Sequence, residues 1–306
     1  MRVLITGATG TIGLAVADAL RARGDQVVAL SRDPERGRRV LGDGVEVHPW
    51  ARPTDESPPV EALAGAAAVI HLVGEPVAQR WTAEAKARIR DSRVLATSSL
   101  VTALNALPEA DRPRALVSQS ATGYYGDRGD AELDEHAPAG DDFLAAVVVA
   151  WEREALRAEQ STRVACTRTG VALSPSGGAL AKMLPFFRLG IGGPVAGGRQ
   201  YVPWVHLDDV VGAMLACVDD DALSGPVNVT APTPVTNGEF SRALGHALSR
   251  PAVLPVPGLA VKALYGEMAE IVTTGQRAVP ARLLAAGYEF RQPQLEPALR
   301  DVLGRR

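Results

Sequence analysis

Arg2-Val3-Leu4-Ile5-Thr6-Gly7-Ala8-Thr9-Gly10-Thr11-Ile12-Gly13 opens the chain, and the rest of the fold is read outward from it. Arg2–Thr6 is a short apolar run of the kind that makes a buried strand. From Ile12 to Arg23 the apolar residues Ile12, Val16, Ala19 and Leu20 recur on one side, which predicts a helix that Gly24 ends. The three glycines between them are spaced for phosphate binding. Gly7 permits a tight turn, Gly10 lets the backbone approach a pyrophosphate, and Gly13 lets the helix pack closely on the strand. The amides of the turn, from Gly7 through Thr9, Gly10, Thr11 and Ile12 to Gly13, then face the phosphates together with the positive end of the helix. A dinucleotide is the ligand this arrangement predicts.

The second strand, Gln26–Leu30, runs into Ser31-Arg32-Asp33-Pro34. An acidic residue near this position would accept the ribose hydroxyls of NAD, whereas arginine suits the 2′-phosphate of NADP. Ser31 and Arg32 come directly off the strand, while Asp33 precedes a proline and reads as the cap of the next helix. NADP is therefore the expected cofactor.

Further strands are expected at Val45–His48, Ala67–Leu72, Ala115–Ser118, Thr162–Arg168 and Val227–Val229. Helices are expected at Ala83–Ala106, Phe143–Ala158, Leu207–Val218 and Asn237–Leu248. This alternation predicts an α/β fold with a doubly wound parallel sheet of Rossmann type. The helix from Phe143 is apolar in its first half and charged in its second, so it should be buried under the sheet and emerge near Glu152. Glycine and proline become dense at Ser174–Pro203 and Pro251–Gly258, as in loops that cover a substrate. Residues 1–170 read as the nucleotide-binding domain, to which the chain returns at about 205–232. Residues 171–306 read as a smaller C-terminal substrate lobe, with a tail segment from about 250.

Composition excludes several classes. The chain has 306 residues, 46% hydrophobic and 22% charged, with a net charge of −3. That balance belongs to a globular protein with a sizeable core and offers no basic field for nucleic acid or an anionic membrane. The longest apolar run, Phe143–Trp151, is far shorter than the roughly 20 residues that span a bilayer. Cys166 and Cys217 lack metal-ligand spacing and read as reduced thiols in the cytosol. The N-terminus is unlike a signal peptide, and the expected location is cytoplasmic. The partner expected is a small-molecule substrate, and a homodimer is left open. No metal site is expected: His206-x-Asp208-Asp209 opens a helix, where acids stabilise the first turn.

Other motifs extend along the chain: His71-Leu72-Val73-Gly74-Glu75-Pro76, Arg80-Trp81-Thr82, Ser92-Arg93-Val94, Ser120-Ala121-Thr122-Gly123-Tyr124-Tyr125-Gly126 and Trp151-Glu152. Arg168-Thr169-Gly170-Val171, Gly177-Gly178-Ala179-Leu180, Pro203 to Asp209, Asn228 to Pro232 and Val279 to Phe290 follow. With these the chain resembles the extended, or atypical, short-chain dehydrogenase/reductases, and within them the epimerase-family branch of SDR39U-type proteins. The resemblance implies that Ser31 and Arg32 hold the adenosine phosphate and that Leu72 and Val73 pass along the ribose and pyrophosphate. It implies that Gly74 belongs to the same loop, that Arg93 and Arg88 reach in from the following helix, and that Ala172 flanks the nicotinamide. Glu75 is a candidate because it lies at the C-terminal end of a strand, where sites of this architecture collect.

The wider superfamily uses a serine or threonine, a tyrosine, and a lysine four residues after the tyrosine. The lysine favours the phenolate, which suits acid–base work. Here the lysines are only Lys86, Lys182 and Lys262, preceded at that spacing by Thr82, Gly178 and Gly258. No Tyr-x-x-x-Lys exists. Aligned on Trp151-Glu152, the pair would fall at Leu144 and Val148, both apolar. Ser120 keeps its place, and Tyr124 or Tyr125 is the candidate replacement acid, with Arg168 or His206 assisting. Two readings follow: an NADP(H)-dependent oxidoreductase or epimerase-like enzyme acting on a small carbonyl, hydroxyl or sugar-nucleotide-like substrate, or a non-catalytic NADP(H)-binding regulator. Trp81, Trp204, Phe186 and Phe187 are candidates to line the substrate cleft, against the ordinary role of large aromatics in a core.

Overall fold

The structure, a computed structural model, describes residues 1–304. β1 (Arg2–Thr6) enters the glycine turn and α1 (Thr11–Ala22) leaves it. β2 (Gln26–Ser31), α2 (Pro34–Leu41) and β3 (Val45–Pro49) follow. Then come β4 (Ala68–His71), α3 (Ala83–Asn105), β5 (Ala115–Ala121), α4 (Phe143–Leu156) and β6 (Arg163–Thr169). The sheet runs β3-β2-β1-β4-β5-β6-β7, with β7 at Gly225–Val229, and every pairing is parallel. The order reverses direction between β1 and β4, which is where this architecture opens a crevice at the carboxyl ends of its strands.

Parallel strands buried on both faces need helices on both. α1 and α6 (Leu207–Asp219) pack over one face, where Val16, Leu20, Val210 and Met214 meet Val3, Ile5 and Val117. α3 and α4 cover the other, where Leu100, Leu104 and Ala155 meet Leu4, Val69 and Leu116. Side-chain caps start several of these helices: Asp33 accepts from the Arg36 amide, Thr82 from Ala85 and Asp142 from Ala145.

α4 departs from its expected path. It does not emerge at Glu152, which is buried, because a partner on β6 neutralises that carboxylate inside the protein.

The small lobe has its own core. α5 (Gly178–Arg188) and α7 (Asn237–Leu248) bury Leu180, Leu184, Phe187, Phe240 and Leu244 together with Trp204. α8 (Gly258–Tyr265) follows, and α9 (Leu295–Val302) adds Leu299 to this cluster. The tail divides between the two cores. Leu283 is fully buried in the sheet-side cluster, with Tyr288 and Phe290 packed on it, while α9 joins the small lobe. Among the described residues no helix is long and apolar enough to cross a membrane.

Candidate functional site

At the point where the strand order reverses lies a cleft of ≈ 330 Å³ lined by Gly7, Gly10, Thr11, Ile12 and Gly13 on one side and Leu72, Gly74 and Pro76 on another. Gln119, Ala172, Ser174, Gly177 and Gly178 complete it. The glycines are required by sterics. Gly7 has φ +70°, and a Cβ there would lie 2.7 Å from the Leu72 carbonyl oxygen. A Cβ on Gly13 would meet the Gly7 carbonyl oxygen at 2.3 Å. The N-cap of α1 is Gly10, which has no side chain to satisfy the first amides of the helix. Those donors and the helix dipole suit an anion at this end of the cleft, so the residues fit a dinucleotide pyrophosphate.

His71 fixes the floor of the cleft. Thr6 Oγ1 accepts from the Leu72 amide at 3.1 Å and shares a hydrogen bond with His71 Nδ1 at 2.7 Å, while His71 Nε2 shares one with Thr97 Oγ1 at 3.0 Å. Complete burial pushes the imidazole down to about 3, so it is neutral and ties β1, β4 and α3 together.

Of the residues expected to touch the cofactor, Gly7, Gly10, Thr11, Ile12, Gly13, Leu72, Gly74 and Ala172 line this cleft. Thr9 lies in the turn without lining it. Val73 packs toward the α3–α4 face. Ser31 and Arg32 lie at the end of β2: the Ser31 hydroxyl donates to the Asp33 carbonyl at 2.8 Å, Arg32 is exposed, and Asp33 caps α2.

Arg88 and Arg93, on α3, converge on Glu75 in the loop after β4. Arg93 donates to the carbonyls of Glu75 and Ile89, both at 3.0 Å, and its guanidinium stacks 5.3 Å from the centre of the Trp151 ring. Burial lowers its pKa to about 10, against the opposing charge of Glu75. Arg88 is exposed, 3.9 Å from the Glu75 carboxylate, and donates to Gln79. It holds this loop from outside and does not line the cleft.

The catalytic candidates separate. Ser120 is buried and donates to Glu152 Oε1 at 2.5 Å. Arg168 grips the same carboxylate with two nitrogens, each at 2.9 Å. Although burial opposes its charge, the hydrogen bonds to Glu152 lift the Arg168 pKa further. Arg168 also donates to the Tyr125 hydroxyl at 3.0 Å, and Tyr125 donates to Asn228 Oδ1 at 2.7 Å. Tyr125 is fully enclosed, and burial raises its phenol to about 12. The expectation of Tyr125 as a substrate-facing acid is corrected: both faces of its hydroxyl are used inside the protein. Ser120 likewise commits its proton to Glu152.

Tyr124 differs. It is half-buried, the Arg168 guanidinium lies 3.4 Å from its ring centre, and its hydroxyl has no hydrogen-bond partner among the described residues. His206 takes no part, since its Nδ1 caps α6 by accepting from the Asp208 amide and its Nε2 lies 3.2 Å from Asp301.

The seat of the usual pair is apolar. Leu144 joins Trp81, Ile89, Phe143 and Met268 in a small cluster, and Val148 is buried. Trp204 and Phe187 are core residues and Phe186 is 52% exposed, so none of these three lines the cleft.

Gln119, Ser174, Gly177 and Gly178 were not singled out as site residues from the sequence. For Gln119 the signal exists: along β5, Val117 faces α1 and α6 while Leu116 faces α3 and α4, so a period of two turns Gln119 to the α1 side.

Residues 3–229 match the NAD dependent epimerase/dehydratase family, and residues 256–302 match a domain of unknown function, DUF1731. The chain is 40% identical to the chloroplastic SDR39U1 homolog of Arabidopsis thaliana, over 99% of this chain and 87% of that one. It is 42% identical to an epimerase family protein of Mycobacterium bovis, over 97% of this chain and 96% of the relative. Among solved structures it is similar to human epimerase family protein SDR39U1 crystallised with NADPH, at TM-score 0.89 and 35% identity, with 99% of each chain covered. A glycine turn at the crevice of a seven-stranded parallel sheet, and relatives matched along nearly the full length, place this chain in the NAD dependent epimerase/dehydratase family.

Proposed function

We propose that the protein is an NADP(H)-dependent oxidoreductase of epimerase-like type, acting on a small carbonyl or hydroxyl compound. The observation that carries this reading is the cleft itself. It starts at the phosphate turn and continues to Gln119, Ala172 and Ser174, the course a dinucleotide would follow from its pyrophosphate. Ser31 and Arg32 would hold the 2′-phosphate, and the similar human protein crystallised with NADPH supports the choice of cofactor. Bound there, NADP(H) supplies or accepts the hydride.

Tyr124 is the group we assign to the proton. Reduction of a carbonyl needs one proton delivered to its oxygen, and Tyr124 alone of the three candidates has an uncommitted hydroxyl. Arg168 braces its ring, and Glu152 braces Arg168. Ser120 belongs to the same brace. The two enclosed thiols, Cys166 and Cys217, fit a reducing compartment, and we place the protein in the cytosol.

A second reading is favoured by the apolar seat at Leu144 and Val148: a regulator that binds NADP(H) without turning it over. Stereospecifically deuterated NADPH, incubated with a panel of carbonyl compounds, separates the two. The oxidoreductase reading predicts loss of label that Tyr124→Phe slows by about 100-fold. Tight binding with the label fully retained would overturn it in favour of the regulator.

A further inference from the structure

Among the described residues, no charged side chain lines the cleft. Its polar side chains are Thr11, Gln119 and Ser174. Ser174 is tied to Ser176, oxygen to oxygen at 3.1 Å, and Thr11 opens α1 beside the phosphate turn. Gln119 is half-buried on β5, and its carboxamide has no hydrogen-bond partner among the described residues. With its pyrophosphate at the turn and its 2′-phosphate at Arg32, a dinucleotide extends its other half toward Gln119, because β5 lies on the side of β1 opposite β2.

That half changes charge. Nicotinamide is a pyridinium cation when oxidised and neutral when reduced, and a carboxylate facing the ring would compensate the cation. Here a neutral glutamine stands in the wall. The carboxylates around the cleft are engaged elsewhere. Glu75 faces Arg88 at 3.9 Å, Glu152 is gripped by Arg168, and Asp33 caps α2.

The fixed charge beside the cleft has the opposite sign. Arg93 reaches from α3 to the back of the cleft residue Gly74, where a Cβ would lie 3.0 Å from its Cζ and Nη2. Burial lowers its pKa only to about 10, so the guanidinium is charged at neutral pH. It forms no ion pair among the described residues: it donates to two carbonyls and stacks on Trp151. Glu75 is the carboxylate that answers its charge, and Arg88 shares that carboxylate. A half-buried cation without an ion pair of its own is costly to hold, and an anionic ligand in the cleft would offset that cost. The helices α1 and α5, which begin at the cleft without side-chain caps, add positive potential of their own.

We propose that the cleft selects the reduced cofactor, so that NADPH and not NADP⁺ is the form the resting protein holds, with Arg93 and Gln119 setting the preference. This rests on the reading of the cleft as an NADP(H) site and adds the redox form it favours. An oxidoreductase built this way is loaded for reduction, and a regulator built this way reads the supply of NADPH.

Isothermal titration calorimetry of the full chain with NADPH and with NADP⁺ tests this. NADPH should bind at least about 10-fold more tightly, the order of effect of one unit charge across roughly 10 Å at an effective dielectric of about 20. Arg93→Met keeps an apolar stem against Trp151 and removes the charge. It should cut the preference at least about 3-fold by weakening NADPH more than NADP⁺. Gln119→Glu should cut it as far by the opposite route, tightening NADP⁺ relative to NADPH. Far-UV circular dichroism checks that each variant folds, and Gln119→Glu decides the matter if Arg93→Met does not. Equal wild-type affinity for the two forms would overturn the proposal, as would a preference that neither variant moves. Binding of neither nucleotide would overturn the cofactor reading beneath it as well.

Discussion

The carboxylate of Glu152 sits where an unpaired charge could not be tolerated, and the two-nitrogen grip of Arg168 is what makes the position tenable. Removing one partner should therefore cost more than removing both. Glu152→Gln is expected to lower urea-measured stability by about 3 kcal/mol, and the double variant Glu152→Gln/Arg168→Met to recover part of that loss. This pairing was not legible in the sequence. A charged second half of α4 suggests an exposed end, and nothing local reveals a cation on β6 that will meet it. The same hidden network commits the hydroxyls of Ser120 and Tyr125 inside the protein. His71 supports a second prediction at this scale. Its folded pKa, about 3, is below its ordinary 6.5, so the unfolded chain binds the proton more readily. The stability contributed by the neutral ring is complete above pH 6.5 and falls as pH drops toward 3. Between pH 7.5 and 5 the loss should be about 2 kcal/mol. His71→Asn should flatten that part of a denaturation-against-pH curve.

The glycine turn was the most legible element, because its residue types answer to backbone sterics that act within seven positions. What the spacing cannot show is which clash is rigid. A Cβ on Gly13 would strike the Gly7 carbonyl at 2.3 Å, whereas one on Gly177 would meet only the Thr11 side chain, its hydroxyl nearest at the same distance. A side-chain oxygen can rotate away, and a backbone carbonyl cannot. Gly13→Ala should therefore lose more than about 2 kcal/mol of stability together with NADPH binding, while Gly177→Ala should lose less than about 1 kcal/mol. Thermal unfolding with and without NADPH measures both. β5 shows how a legible pattern can be read only in part. The run Ser118-Gln119-Ser120 draws the eye to serine, yet strand alternation sends Ser120 toward Glu152 and Gln119 into the cleft.

At the scale of the whole molecule, the parallel sheet and its crevice follow from the alternation of apolar runs and helices, and the family membership agrees with them. The smaller lobe was legible only as loop-rich texture. Its helices α5, α8 and α9 are short or bounded by glycine and proline, so each offers too few turns to stand out from the loops around it. Leu283, Tyr288 and Phe290 return to the sheet core across a separation in sequence that no local pattern records. The proposed chemistry requires that the cleft at the reversal of strand order hold NADP(H), with Arg32 at the end of β2 recognising the 2′-phosphate. Calorimetric titration of the protein with NADPH and with NADH tests it most directly. NADPH should bind at least about 10-fold tighter than NADH, and Arg32→Ala should erase the difference by weakening NADPH alone. Equal affinity for the two nucleotides, unchanged by Arg32→Ala, or no binding of either, would contradict the account.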